Sequence, residues 1–553
     1  CGAAHQGRRG ALVQGLGAAR GRASVTGASL LRYAVLAAGA WLHAAAVAWP
    51  LHSLWTYGQS VWYLQVAAMV VLAQQIHSAP SARAAWWRSW FFASVYLAST
   101  FWWLFTAMHT YGGMAAPLAA AAELLLAVLL AVYFALACTL WWHLAGGQAL
   151  RNAVLFGLLW MAAELARGTW LTGFGWGAGG YAHLDGPLAY FAPWLGAYGV
   201  GALAALAAMA LAQSRWLGSG GRGQFPRLGR STWAVLLLAL AAPSLVPARW
   251  ATWTQDQGSL SVTVLQGGIA QGEKFESATG VGQALRWYQQ HLLESRSTLV
   301  VAPETAIPLL PEDLPADYWE RLSTGLVTQG RAAIIGIPLG DSGAGYTNSV
   351  VAVLPGEKQV LRYDKHHLVP FGEFIPPMLR WFTNLMHIPL GDFRRGNLGQ
   401  SSFALQGQGL AAHICYEDLF GEELATRFGP GLQAPTVLVN VSNLAWFGPS
   451  IALDQHLGIA RMRTLEFQLP MVRATNTGAS ALIDHRGVVL ARLPYTVAGV
   501  LEGEVQGRIG MTPFAWWASR WGLWPLWLAV VAGLLWALLA PGRTGAARRG
   551  IGP

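Results

Sequence analysis

The sequence predicts a two-part protein, a polytopic α-helical membrane domain of about eight spans joined to an α/β sandwich domain. Three observations carry that prediction. Of 553 residues, 54% are hydrophobic and only 11% are charged, far from the average of soluble chains. Apolar runs concentrate before about residue 250 and again near 522–541, while charges and turn residues fill the stretch between them. Within that stretch, short β-rich runs alternate with helical ones.

Taken in chain order, residues 1–27 are rich in Gly and Arg and predict a disordered cytoplasmic lead. Seven candidate helices follow within 28–250, at about 30–49, 59–77, 88–108, 116–144, 152–171, 188–213 and 232–248. An eighth, near 522–541, falls within 511–541. Each approaches the ~20 residues that cross ~30 Å of hydrocarbon. Arginines then set the orientation, because basic residues accumulate in cytoplasmic loops. Arg8, Arg9, Arg20 and Arg22 precede span one, Arg83 and Arg88 follow span two, and Arg151 follows span four. Arg215, Arg222, Arg227 and Arg230 follow span six, and Arg543, Arg548 and Arg549 lie in the tail at 542–553. The alternate loops hold little beyond Arg167 and Arg249. Both termini are therefore expected in the cytoplasm and the polar domain outside, which in a bacterium is the periplasmic face of the inner membrane. The net charge of +10 follows largely from these loops and carries no nucleic-acid meaning.

The polar domain, residues 251–510, shows strand patterns at 261–265, 298–302, 332–336, 349–353, 410–414, 436–440 and 480–484. Helical periodicity recurs near 280–295, 317–328 and 451–468. Such alternation argues for sheets covered by helices.

Chemistry concentrates in three places, each beside the end of a predicted element. Glu304 stands in Val-Ala-Pro-Glu-Thr-Ala-Ile-Pro, Lys365 in Tyr-Asp-Lys-His-His-Leu-Val-Pro-Phe-Gly-Glu373, and Cys415 in His-Ile-Cys-Tyr-Glu-Asp. A thiol becomes a good nucleophile only when deprotonated, so it needs a base and a positive neighbourhood. Glu304 can take the proton, and Lys365 can stabilise a thiolate or an oxyanion. Singly, such residues are more often a cap, a surface charge and a packed core thiol; together, in their contexts, they form a constellation. Two further cysteines add no disulfide framework, Cys138 being a packed residue of span four and Cys1 opening the chain. His366 and His367 are adjacent and lack a completing cluster, so no metal is expected, and no cofactor is implied.

The order Glu, Lys, Cys in these motifs resembles the nitrilase superfamily. The membrane frame and Arg-Gly-Thr-Trp-Leu-Thr-Gly-Phe-Gly-Trp176 extend the resemblance to its membrane-embedded branch, the apolipoprotein N-acyltransferase family, over nearly the whole chain. The resemblance implies a nitrilase-like four-layer α-β-β-α sandwich, with Glu304 as general base, Lys365 as oxyanion stabiliser and Cys415 as nucleophile. It also implies supporting roles for Glu373, Tyr416 and Glu417. Glu373 would hold Lys365 or assist proton transfer, and backbone N–H groups after Cys415 would add oxyanion donors if a helix starts there. The implied reaction moves a fatty acyl group from a phospholipid, typically phosphatidylethanolamine, through a Cys415 thioester to the N-terminal amine of diacylglyceryl-cysteine on an apolipoprotein. That is the final step of lipoprotein maturation, with ping-pong kinetics and a monomer sufficing. Phe275 and Leu444 stand where the family usually has Trp and Asp, and Ala302 replaces a common Trp. The stretch 461–478, with Glu466, Arg473 and Asn476, reads as scaffold behind the site.

A bilayer substrate also explains two local features. Residues 374–389 gather Met378, Leu379, Trp381, Phe382, Leu385 and Met386 directly after Glu373, as an apolar lid at the interface would. Phe275, Trp446 and Phe447 are further candidate substrate or lid residues. Glu164 and Arg167 lie three apart near the outer end of span five, an intramembrane pair that steadies the following loop or meets a headgroup. Tryptophans such as Trp102, Trp103, Trp516, Trp517 and Trp521 read as an interfacial belt. The rival readings are a membrane-tethered nitrilase-type amidase or hydrolase, and an inactive nitrilase-like domain on a membrane scaffold.

Overall fold

A computed structural model describes residues 27, 29–213, 252–274, 276, 280–341, 343, 345–357, 359–375 and 393–539. Seven helices open it: α1 Ser29–Val47, α2 Trp62–His77, α3 Ala82–Phe101, α4 Leu104–Tyr111, α5 Ala116–Leu144, α6 Ala149–Thr169 and α7 Ala192–Ala212. α1, α5, α6 and α7, the latter two extended by flanking turns, are long and apolar enough to cross a bilayer, and up to six spans result if each of two bent pairs counts as one. Eight spans were expected. The expected seventh, 232–248, lies outside the described residues. α2 has 16 residues, about 24 Å of helix, short of the ~30 Å of hydrocarbon.

The expected single span 88–108 is instead α3 and α4, bent by 57°. α3 begins six residues earlier than hydropathy suggests because Ser81 caps it, its hydroxyl accepting from the Ala84 N–H. Arg88 consequently lies inside the helix and donates to the Gln75 carbonyl at 2.7 Å. α6 also starts early, and Arg151 within it reaches the Ala537 carbonyl. Loop arginines thus become helix residues whose heads satisfy carbonyls at neighbouring helix ends.

The polar region folds into two six-stranded sheets. The first contains β1 Thr254–Gln266, β2 Leu299–Val301, β3 Ala332–Asp341, β4 Gly345–Val353, β5 Leu361–Asp364 and, beside β1, β12 Gly499–Gly510. The second runs from β6 Phe403–Leu405 through β7 Gln408–Ile414, β8 Val437–Ser442, β9 Met471–Thr475 and β10 Ala481–Ile483 to β11 Val489–Arg492. Alternate residues such as Val262, Val301, Ile334, Ala412, Val439 and Val472 meet between the sheets, as the period-two pleat requires. The opposite face of the first sheet is covered by α8 Gly280–Glu294 and α9 Tyr318–Thr328. The outer face of the second is covered by α10 Ala452–Phe467 and α11 Pro513–Trp521. This is the expected α-β-β-α sandwich.

All seven expected strands are present. β9 escaped sequence reading because buried Arg473 interrupts its apolar run, and β12 because glycines and charges alternate along an edge. β5, β6 and β11 are only three or four residues long.

The expected eighth span is α11 followed by α12 Trp524–Leu539, bent by 91° at Gly522, whose φ is +54°. α12 has 16 residues, and residue 540 onward lies outside the description.

Sandwich and helices share one apolar core. Tyr416, Leu419, Phe420, Ile451, Ile459 and Met462 of the sandwich belong to the cluster that fills the helical domain. Polar contacts fix the register. α7 breaks at Gly196, φ +67°, and the freed Ala197 N–H donates to Glu466 Oε1 at 2.7 Å. Gln455 Oε1 accepts from Trp103 Nε1 at 2.9 Å and Trp176 Nε1 at 2.8 Å. Trp103 is therefore buried in this contact rather than part of an interfacial belt, whereas Trp102 is half exposed. Gln455→Leu leaves both indole N–H groups without their acceptor, at about 1–3 kcal/mol each. The expected result is a lower unfolding midpoint in detergent, read by thermal denaturation.

Candidate active site

Both sheets deliver residues to one spot past the carboxyl ends of their parallel strands, where open α/β sheets present functional groups. β2 pairs parallel with β1 and β3, and β7 and β9 pair parallel with β8. Glu304 follows β2, Lys365 follows β5, Cys415 follows β7 and Asn443 follows β8. The loop at Glu304 can lie flat on β3 because residue 336 is glycine: a Cβ there would sit 2.4 Å from the Pro303 carbonyl and 2.7 Å from the Glu304 Cα. Thr305 and Cys415 adopt φ of +53° and +52°, left-handed conformations uncommon for such residues and frequent at functional sites. Cys415 heads a short 3₁₀ turn, Cys415–Leu419.

Glu304 is buried and accepts three hydrogen bonds. Oε1 receives Asn348 Nδ2 at 2.6 Å and Lys365 Nζ at 3.3 Å, and Oε2 receives the Asn443 N–H at 2.7 Å. Lys365 Nζ also donates to Glu373 Oε1 at 2.8 Å. Burial alone would lower the Lys365 pKa, but the Glu304 and Glu373 carboxylates outweigh it and hold this ammonium above its ordinary value. Cys415 is pushed the other way. Burial and then the Glu304 charge raise its thiol well above the usual range, against the pull of Lys365 and an N–H of Asn443. The resting thiol is thus protonated at neutral pH and faces a carboxylate.

Of the expected supporting residues, Glu373 accepts from Lys365 through Oε1, and its second oxygen accepts the Val369 N–H at 2.8 Å. Glu417 lies behind the site. It accepts the Ile414 N–H at 2.6 Å, the His366 N–H at 2.7 Å, the His367 N–H at 3.2 Å and the Tyr363 hydroxyl at 2.8 Å, tying the Lys365 strand end to the Cys415 turn. Tyr416 donates its hydroxyl to the Gly173 carbonyl at 2.9 Å, docking the turn on the loop after α6. His366 bonds the Gly396 carbonyl, while His367 meets Glu423 and the Thr172 carbonyl. Among the described residues no group of three His, Cys, Asp or Glu side chains could hold a metal.

Phe447 lies with its ring 4.4 Å from Trp103 and 6.0 Å from Trp176, and half-exposed Trp446 meets Tyr111 at 6.1 Å. The loop carrying the Asn443 N–H is thereby seated on the helical domain. Phe275, Trp381, Phe382 and Met386 lie outside the described residues, with most of the expected lid. Glu164 and Arg167 do not pair with each other. Glu164 Oε1 accepts the Gly179 N–H at 2.7 Å, and Arg167 donates to the Phe174 and Trp176 carbonyls, so both brace the loop that receives Tyr416. Beneath the Cys415 turn, Asp418 bonds His413 at 2.7 Å and Arg473 at 3.0 Å.

Sequence reading missed Asn348, Lys274 and any role for Asn443. Polar residues at the ends of apolar strands, as in Thr-Asn-Ser-Val-Val and Asn-Val-Ser-Asn, were the available signal. Asn348 Nδ2 donates to Glu304 and also to Glu373 at 2.6 Å, using both amide hydrogens to keep two carboxylates around one ammonium. Asn348→Ala is expected to reduce turnover about 10- to 100-fold, the cost of charge-assisted bonds of about 1.5–3 kcal/mol. Steady-state kinetics on a variant with normal detergent monodispersity checks this.

Two family models match the chain, one described as the apolipoprotein N-acyltransferase N-terminal domain over residues 51–210 and one as carbon-nitrogen hydrolase over residues 261–548. The chain is 50% identical over 519 residues to the apolipoprotein N-acyltransferase of Verminephrobacter eiseniae, covering 90% of this chain and 94% of the relative. It is 44% identical over 506 residues to that of Ralstonia nicotianae, covering 90% and 93%. With that of Bordetella bronchiseptica the identity is 41% over 543 residues, covering 92% and 97%.

Proposed function

Because this chain belongs to the apolipoprotein N-acyltransferase family, we propose that it is the membrane enzyme that transfers a fatty acyl group from a phospholipid to the N-terminal amine of diacylglyceryl-cysteine on apolipoproteins. The observation that carries the chemistry is the convergence of Glu304, Lys365 and Cys415 where the sandwich rests on apolar helices.

In the first half-reaction Glu304 takes the Cys415 proton as the sulfur attacks the ester carbonyl of a phospholipid, phosphatidylethanolamine being the proposed donor. The oxyanion forms beside the Lys365 ammonium, a donor of the kind worth roughly 3–4 kcal/mol in acyl transfer. Collapse breaks the ester C–O bond, Glu304 returns the proton to the departing lysophospholipid, and a thioester remains. In the second half-reaction the lipoprotein α-amine attacks that thioester, Glu304 accepts the amine proton, and the Cys415 thiol is regenerated with the amide formed. Such a division implies ping-pong kinetics. The protonated resting thiol supports concerted removal of its proton by Glu304 rather than a standing thiolate.

The sandwich lies on the periplasmic face with both termini cytoplasmic, eight helices span the inner membrane, and the enzyme works as a monomer. The apolar segment 374–389 serves as the lid that keeps water from the thioester. Incubating the detergent-purified protein with phosphatidylethanolamine and no acceptor tests the scheme. A hydroxylamine-labile fatty-acyl mass on the Cys415 peptide is expected. An unmodified peptide with steady release of free fatty acid would make the protein a hydrolase.

A further inference from the structure

Lys274 is a second lysine in the same pocket, and neither half-reaction above uses it. It ends a turn, residues 271–274, that lies over the site and is tied to it. Gln271 Oε1 accepts from Asn443 Nδ2 at 2.9 Å, and Asn476 bridges Asn443 to the main chain of Ile269. The Lys274 main-chain N–H closes the turn on the Ala270 carbonyl at 3.0 Å. From there its side chain runs inward, 1% exposed, and Nζ donates to the main-chain carbonyl of Glu304 at 3.0 Å. Among the described residues no carboxylate lies within ion-pair distance of it. The acidic groups whose fields reach it are Glu304 and Cys415.

A buried ammonium bonded to one neutral carbonyl is costly, so its retention calls for a negative partner. The charge balance of the site supplies one. Lys365 is shared by two carboxylates, Glu304 and Glu373, which leaves the triad and Glu373 together with one net negative charge before the sulfur reacts. Moving the thiol proton to Glu304 leaves that charge in place but shifts it onto sulfur and then onto the oxyanion, next to a lysine already committed to Glu373. Arg473 and His456 also face the Cys415 turn, but Arg473 is paired with Asp418 and burial lowers His456 to about 3.

We propose that Lys274 is, among the described residues, an uncommitted cation of this site, a positioning and electrostatic residue that fixes the Glu304 loop through its carbonyl and offsets the negative charge that develops at Cys415. The inference rests on the reading of Cys415 as nucleophile. Burial lowers Lys274 to about 8 despite the opposing pull of Glu304, so its positive charge is present at neutral pH and is lost as pH rises through that value. Its help therefore belongs to the neutral range.

The test uses the full-length protein in detergent with no lipid added. Iodoacetamide alkylation of Cys415 is followed by peptide mass spectrometry from pH 6 to 10 for the parent, Lys274→Met and Lys274→Arg. At pH 7 the Met variant is expected to alkylate about tenfold more slowly, needing about one pH unit more alkaline solution to match the parent rate. The two curves converge above pH ~8, and the Arg variant retains most of the parent behaviour. Superimposable profiles, or a constant deficit for the Met variant at every pH, would overturn the proposal; the constant deficit would mark a purely structural lysine. Unfolding midpoints of both variants separate a chemical effect from misfolding. Alkylation needs neither acyl donor nor acceptor, so an unchanged profile in a protein that forms the thioester refutes only the role of Lys274. A shifted profile in a protein that forms none refutes only the acyl-transfer scheme.

Discussion

Cys415→Ala is expected to lower acyl transfer by at least ~10⁴-fold while leaving the unfolding midpoint unchanged. The loss is large because, among the described residues, the one other cysteine, Cys138, is buried in helix α5 and cannot replace Cys415 as the thioester-forming group. The fold survives because the substitution removes a sulfur that accepts from the Asn443 N–H, and that N–H keeps Glu304 as acceptor. Alanine takes the left-handed backbone at this position at a cost comparable to that of cysteine. A phospholipid-to-peptide transfer assay together with thermal unfolding checks both halves. Transfer within tenfold of the parent would remove Cys415 from the mechanism.

Lys365→Met is expected to damage chemistry and stability together. Chemistry loses the ammonium beside the developing oxyanion, about 10²–10³-fold in turnover. Stability falls by about 3–5 kcal/mol, because Glu304 and Glu373 stay buried around an uncharged side chain. The two losses separate in the double variant Lys365→Met with Glu373→Gln. With one carboxylate neutralised, part of the stability returns, whereas activity does not. Recovery of activity in the double variant would show that Lys365 serves only to neutralise Glu373. Chemical denaturation and initial-rate measurements read the two effects.

The candidate site was legible in the sequence because each residue proposed to react sits in a local motif at an element end: Glu304 after Val-Ala-Pro, Lys365 after Tyr-Asp, Cys415 after His-Ile. Local motif sufficed to pick them out, although Glu304 and Lys365 leave the first sheet and Cys415 the second. Roles that depend on contacts far apart in the chain were not legible. Asn348 looks like one polar residue in an apolar strand until Glu304 and Glu373 arrive on either side of it. Tyr416 and Glu417 follow the thiol in sequence, yet one docks a loop 243 residues away and the other gathers main-chain donors 50 and 51 residues away. Neither distance leaves a trace in local pattern.

Helix boundaries divide the same way. Ala116–Leu144 matches the sequence reading, because its apolar run is interrupted by a single charged residue, Glu123, and its ends carry turn signals. The expected span at 88–108 breaks at Trp102 and Trp103, since Trp103 turns inward to Gln455 and Phe447 of the sandwich. Hydropathy sums side chains and is blind to the partner that bends them.

By itself, then, the sequence determined the division into apolar helices and a sandwich, the seven main strands and the three residues proposed as the triad. All of these follow from composition, period and local motif, which act over a few residues. The tertiary structure alone decided the charge state of the site: a protonated thiol, an ammonium shared by two carboxylates, and a second ammonium bonded to a carbonyl. Those properties arise from desolvation and from charges brought within a few ångströms by distant segments, and only folding creates either.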